Sequence, residues 1–203
     1  MSGRVYDKDL FQKIINNYME QRTKIDFQEE PTSGYRMRTI RNASADATFA
    51  FATDFSTGGE ILTHKATVDQ GKMYFPIPVS NLTQDKKDFI VSNAVAALNE
   101  CSAKTLNIAG NGIYTMKGKY TQQEVDDLTF ELLQAILTSP YLETKIELIR
   151  SGGQTGFDEA GAKAGVKLGI PTLILAPKGW GFRDMSGIDQ YDEVAFKKRF
   201  DTI

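Results

Sequence analysis

The chain has 203 residues, 41% of them hydrophobic, and a formal net charge of −2, which supports one well-packed domain and gives no global field toward nucleic acid or anionic membrane. One cysteine, Cys101, excludes a disulfide framework and a thiolate metal cluster, and no apolar run nears the roughly 20 residues that span a bilayer. The N-terminus "MSGRVYDKDLFQKII" is polar and has no signal-peptide core, so a single cytoplasmic domain over residues 1–203 is expected.

In chain order, Leu10, Phe11, Ile14, Ile15 and Tyr18 share one stripe and predict an amphipathic N-terminal helix. "DFQEEPTSGY" reads as a polar loop, so residues 1–35 are a helix and a loop ahead of the main body. "RMRTIRNASA" is a short helix or turn. "DATFAFATDF" is a strand buried on both faces, ending at "STGGE". "EILTHKATVDQG" is a short helix closed by Gly71. "KMYFPIPV" is a strand with Pro76 and Pro78 near its end or at an edge. "TQDKKDFIVSNAVAALNECS" is a helix with Phe89, Ile90, Ala94 and Leu98 inward, and "KTLNIAGNGIYTM" is a strand ending at a Gly-Asn-Gly turn. "TQQEVDDLTFELLQAILTS" is an amphipathic helix burying Val125, Leu128, Leu132 and Ile136, with Thr121 and Glu124 spaced as a capping box. "KIELIR" is a strand, "DEAGAKAGVKLG" a helix rich in small residues and "PTLILAPKG" a final buried strand. The tail "WGFRDMSGIDQYDEVAFKKRF" returns over the strand ends as a loop and a last helix.

Strand and helix alternate from Asp46 to Gly179, which predicts an α/β fold: a doubly wound, mostly parallel, Rossmann-like sheet of about five strands. Right-handed crossovers put every strand-to-helix loop on one edge of that sheet, where ligands bind. Three glycine turns share the edge. Thr57, Gly58 and Gly59 follow the first buried strand, and Gly110, Asn111 and Gly112 follow "KTLNIA". Ser151, Gly152, Gly153, Gln154, Thr155 and Gly156 follow "KIELIR". Glycine lets a ligand oxygen approach backbone N–H groups, and helix N-termini add positive dipole ends. Lys178, Arg150 and Arg183 add positive charge nearby. Trp180 and Phe182 follow "APKG" and either stack on a base or pack on the last helix. His64, the only histidine, reads as a structural side chain, and Cys101 as a small packing residue.

"SGGQTGFDEAGAKAGVKLGIPTLILAPKG" resembles the molybdenum carrier protein family, whose pattern is close to S-G-G-Q-T-G-x-D, a helix, L-G-I-P, a strand and P-K-G. Ser151 to Gly156, Asp158, Leu168 to Pro171 and Pro177 to Gly179 match in order. That family belongs to the larger SLOG superfamily, with the LOG phosphoribohydrolases and the DNA-processing DprA proteins. "RNASADATFAFATDFSTGGEILTHKATVDQGKMYFPI" resembles a second carrier block through Asn42, Asp46 to Thr48, Gly58, Gly59, Leu62 and Thr63. In the carriers that block follows S-G-G-Q-T-G; here it precedes it by about ninety residues, as in a circularly permuted relative. The permuted form is also similar to phage proteins.

The resemblance implies a small-molecule nucleotide-type ligand, no cofactor, and a homo-oligomer. LOG enzymes carry P-G-G-x-G-T-x-x-E, whereas this chain reads "STGGEILTHK", with Lys65 where the glutamate stands. Asp54, Glu60 and Asp158 are the carboxylates left to assist glycoside cleavage; in first helical turns, Glu60 and Asp158 also offset the dipole. Two functions follow. The first is capture of a nucleotide or ADP-ribose-like molecule by a carrier, sensor or sequestering protein, including one that removes a host defence signal. The second is an N-glycosidase or phosphoribohydrolase acting on a nucleoside phosphate or NAD-derived substrate. No nucleic-acid, membrane or metal partner is expected.

Overall fold

The structure, a computed structural model, describes residues 25–201. The N-terminal helix expected over residues 10–18 lies outside the described residues. Six strands form one parallel sheet: β1 (Ile25–Glu29), β2 (Ala47–Ala52), β3 (Met73–Pro78), β4 (Thr105–Gly110), β5 (Leu148–Ser151) and β6 (Thr172–Ala176). Their order is β1-β6-β5-β4-β2-β3. The helices are α1 (Arg36–Asn42), α2 (Gly58–Asp69), α3 (Gln84–Glu100), α4 (Gln122–Leu137), α5 (Phe157–Lys167) and α6 (Glu193–Lys198). A separate hairpin pairs β7 (Gly181–Arg183) with β8 (Asp189–Tyr191). The fold is therefore the doubly wound α/β sheet that the alternation predicts.

The sixth strand corrects the sequence reading. Ile25–Glu29 falls within the expected polar loop, yet it pairs in parallel with β6 from Ile25 opposite Thr172 to Glu29 opposite Ala176. An edge strand half open to water carries little apolar signal: only Ile25 and Phe27 are partly buried. Its place is set by backbone pairing and by Phe27, which meets Phe200 edge-on at 5.6 Å. The strand expected over "KIELIR" starts three residues late, at Leu148. Phe89 was expected inward but is 70% exposed, while Ile90, Ala94 and Leu98 are buried. Those three repeat every fourth residue along one stripe, and Phe89 stands about 100° around the helix from it. The capping box forms as its spacing predicts: the Thr121 hydroxyl accepts from Glu124 N–H, and the Glu124 carboxylate accepts from Thr121 N–H.

Alternation along the strands gives the sheet two unlike faces. Phe49 and Phe51 of β2, with Leu106 and Ile108 of β4, join the main apolar cluster. Ile90 and Leu98 of α3, Val125 and Leu132 of α4, and Phe157 and Ala160 of α5 complete it. Phe51 stacks on Phe157 at 5.3 Å between centroids. The opposite face is small and polar. Thr48 of β2 accepts there from Thr67 of α2 and from Asn107 of β4, both at 3.3 Å. α1 and α2 pack together over that face.

The winding reverses between β2 and β4. From β2 the chain crosses by α2 to β3 on one side, and from β4 by α4 to β5 on the other. Two neighbouring loops that leave in opposite directions open a crevice at the carboxyl ends of their strands.

Candidate functional site

A cavity of about 410 Å³ occupies that crevice. The loops after β2, β4 and β5 wall it, α1 closes one side, and Arg183 reaches it from the hairpin. Of the residues expected from the sequence, Thr57, Gly59, Glu60, Gly110, Asn111 and Gly112 line it. So do Gly152, Gln154, Thr155, Asp158 and Arg183. Gly58, Ser151, Gly153 and Gly156 belong to the same loops but are not part of the lining. Asp54 is exposed beside it, its carboxylate held below the usual range by the Ser56 hydroxyl and N–H.

The floor is rich in hydrogen-bond acceptors. Glu60 is 4% exposed; its Oε1 accepts from Asn111 Nδ2 at 3.3 Å, and its Oε2 has no partner among the described residues. Asn42 Oδ1 from α1 and Asn107 Oδ1 from β4 are also buried without partners among the described residues, and both residues line the same cavity. Burial, helped by the Asp158 carboxylate and opposed by the Asn111 amide, pushes Glu60 up to about 7. Burial likewise pushes Asp158 up to about 6, against the Arg38 guanidinium and the backbone N–H groups of Gln154 and Gly110. Both carboxyls of this floor therefore hold a proton to a higher pH than a free carboxylate does.

Much of the polar sequence around the cavity holds loops in place. Asn111 Oδ1 accepts from Thr53 N–H at 2.9 Å and Asp54 N–H at 3.1 Å, while its Nδ2 donates to Asp54 O. One buried amide thus staples the loop after β2 to the loop after β4 and sets the position of Glu60. Gln154 Nε2 donates to Gly181 O at 2.8 Å and the Thr155 hydroxyl to Arg183 O at 2.5 Å, pinning the hairpin against the site.

Two donors of "SGGQTG" are spent within the fold: Gly153 N–H goes to the Ser151 hydroxyl and Gly156 N–H to Gln122 Oε1, while the Gln154 N–H group favours the ionised form of Asp158. Asp158 thereby fills the anion position that the N-terminus of α5 offers. Gly152 makes room for this: a Cβ there would lie 2.5 Å from Asp158 Oδ2 and 3.0 Å from Arg38 Nη1. By contrast, Gly58 and Gly59 at the N-terminus of α2 stand in open space.

Other expected residues lie elsewhere. Trp180 packs edge-on against Phe196 at 5.5 Å under Lys197, and Phe182 is buried beside it. Of the two readings of this pair, the structure takes packing on the last helix. Lys178 is exposed, outside the lining, and Arg150 donates to the Ser44 hydroxyl at 2.9 Å. His64 meets Tyr74 edge-on at 4.6 Å.

The sequence reading missed Tyr35, Arg38 and Asn42 of the α1 region, Asn107 of β4 and Tyr114 of the loop after it, all of them lining the cavity. Arg38 is 6% exposed and donates to Gly152 O at 2.6 Å. Asn107 left a signal: an amide in the middle of an apolar strand must face a polar partner or a site.

A scan against protein-family models and a search of curated proteins each find no match. Among solved structures, the NADH-dependent butanol dehydrogenase A of Thermotoga maritima aligns over 77% of this chain and 43% of its own, at 12% identity and a TM-score of 0.33. A GH18 chitinase from Pseudoalteromonas aurantia aligns over 73% of this chain and 64% of its own, at 16% identity and a TM-score of 0.25. Superpositions this loose carry no argument about fold or function. Among the described residues no group of three or more His, Cys, Asp and Glu could hold a metal ion, and no helix is long and apolar enough to cross a membrane.

Proposed function

We propose that this protein captures a phosphorylated small molecule of the nucleotide or ADP-ribose type. The observation that carries this is the convergence of Asn42 Oδ1, Glu60 Oε2 and Asn107 Oδ1, three buried acceptors without partners among the described residues, on one cavity at the switch point of the sheet. An unsatisfied buried acceptor costs about 1–3 kcal/mol, which a ligand donating to it recovers. Sugar hydroxyls are such donors. Glu60 and Asp158 repel an anion from the same floor, so the phosphate faces the rim. There the N-terminus of α2 begins, after its cap Thr57, and Thr57 and Gly59 line the cavity. Capture of this kind suits a carrier, a sensor or a sequestering protein, including one that removes a nucleotide defence signal.

The carboxyl pair favours a second reading, cleavage of an N-glycosidic bond. A protonated Glu60 gives its proton to the departing base nitrogen as the bond to the anomeric carbon breaks. Ionised Asp158 stabilises the ribosyl cation and takes a proton from the water that adds to that carbon.

One experiment separates the two. The pure protein is incubated with nucleoside monophosphates and diphosphates, NAD, ADP-ribose and its cyclic isomers, followed by thermal shift and mass spectrometry of the denatured supernatant. A ligand at about 100 times its dissociation constant adds roughly 2.7 kcal/mol of stability. A stabilising ligand recovered intact supports capture, and a freed base with turnover supports cleavage. No shift and no product with any compound would remove both.

A further inference from the structure

We infer that Tyr35 and Tyr114 form a stacking mouth for the flat base of the ligand, above the floor that takes its sugar. The inference rests on the capture reading and adds to it the chemical class of the ligand's outer end.

Both tyrosines line the cavity, and both are exposed, Tyr35 by 57% and Tyr114 by 46%. They come from different parts of the chain. Tyr35 immediately precedes α1, and Tyr114 lies in the tight turn after β4, where Lys117 N–H returns to Tyr114 O at 3.2 Å. Large aromatic rings left open at the rim of a polar cavity are costly to leave wet and well suited to a π-faced ligand.

Each ring is held from behind. The Arg38 guanidinium sits over Tyr35 at 5.5 Å from its centroid, while its Nη1 is fixed on Gly152 O. Behind Tyr114 lies the turn of the hairpin at Gly187. That residue has φ +90°, and a Cβ on it would stand 2.6 Å from the Tyr114 ring. Only glycine allows the turn to press there. Lys117 lies 5.9 Å from the same ring. Among the described residues neither tyrosine hydroxyl makes a hydrogen bond, so the rings are positioned by their faces. Arg183 of the hairpin lines the same cavity, its guanidinium fixed on Asp189 at 2.7 and 2.9 Å.

One cavity lining thus holds three kinds of group: the buried acceptors of Asn42, Glu60 and Asn107, the exposed rings of Tyr35 and Tyr114, and the N-terminus of α2 at Thr57 and Gly59. A nucleoside phosphate supplies the complement of each. A sugar phosphate supplies two and leaves the tyrosines unmet.

The test compares AMP with ribose 5-phosphate, by isothermal titration of the full chain and of the Tyr35→Ala, Tyr114→Ala and doubly substituted proteins. Both side chains are exposed, so the unliganded variants keep the wild-type melting temperature. Loss of one stacking face weakens AMP about 5- to 100-fold and leaves ribose 5-phosphate unchanged. Tyr→Phe at each position restores AMP affinity, because the ring and not the hydroxyl makes the contact. AMP binding that survives the double substitution overturns the stacking mouth and leaves the capture reading standing. Equal weakening of AMP and ribose 5-phosphate overturns it too, since the tyrosines would then be shaping the cavity as a whole. Binding of neither probe by the wild type removes capture of a nucleoside phosphate, and the mouth with it.

Discussion

Glu60→Gln makes the protein more stable at pH 8 and leaves it nearly unchanged at pH 4.5. Glu60 is buried against Asn111 with one oxygen unpartnered, and its carboxyl is raised from 4.5 to about 7. The folded protein therefore keeps this proton to a higher pH than the unfolded chain does. Its contribution is fully present below about 4.5 and is lost as pH rises through about 7. Ionising the group in the fold costs about 3 kcal/mol. Part of that cost is repulsion from Asp158, whose own raised value adds a slope of the same sign from 3.8 to about 6. Glutamine matches the protonated carboxyl in shape and never ionises, so it removes the cost at pH 8. For a chain of this length, about 3 kcal/mol appears as roughly 6–12 °C in melting temperature. Urea unfolding of both proteins at pH 4.5, 6 and 8 measures it. The wild-type midpoint falls across the series, and that of the variant falls much less. Parallel losses in the two proteins would refute the reasoning, because Glu60 would then be ionised in the fold without cost.

Asn111→Ala removes the amide that joins the loops after β2 and β4; it destabilises the protein by about 2–4 kcal/mol in urea unfolding, and a loss below 1 kcal/mol would mean the loops hold without it. Lys163→Met takes the ammonium away from Asp126 and Glu159, each 2.7 Å from it and buried, and leaves Asp126 with the Gln122 amide and Glu159 with Arg199; the expected loss is about 3 kcal/mol at pH 7, measured by denaturant titration, and partial recovery at low pH identifies the carboxylates as the cause. Trp180→Phe leaves the thermal shift given by any binding ligand unchanged, because the indole packs on Phe196 outside the cavity; loss of that shift would return Trp180 to the site.

Wherever a local pattern is also the physical cause, the sequence is legible. "ATFAFA" becomes a central strand buried at all six positions because its small and aromatic residues alternate between two covered faces. Thr121 and Glu124 cap α4 because the capping box needs no residue beyond that turn. The three glycine loops meet on one edge because a right-handed βαβ unit has no other place to put them. β1 was not legible, because a polar edge strand exists only through its pairing with β6.

The sequence by itself determined the alternating fold, the edge where the cavity opens and two of the residues on its floor, Glu60 and Asp158. Tertiary structure decided what that edge can hold. It turned "SGGQTG" into a loop with two of its donors, Gly153 N–H and Gly156 N–H, spent on Ser151 and Gln122. It also brought Asn42 from α1 and Asn107 from β4 into one cavity lining with Glu60, and Tyr35 with Tyr114 into the same lining. Backbone loops follow from local chain geometry. The hydrogen-bonding state of a donor, and the meeting of side chains more than sixty residues apart such as Asn42 and Asn107, exist only once the sheet has closed around them.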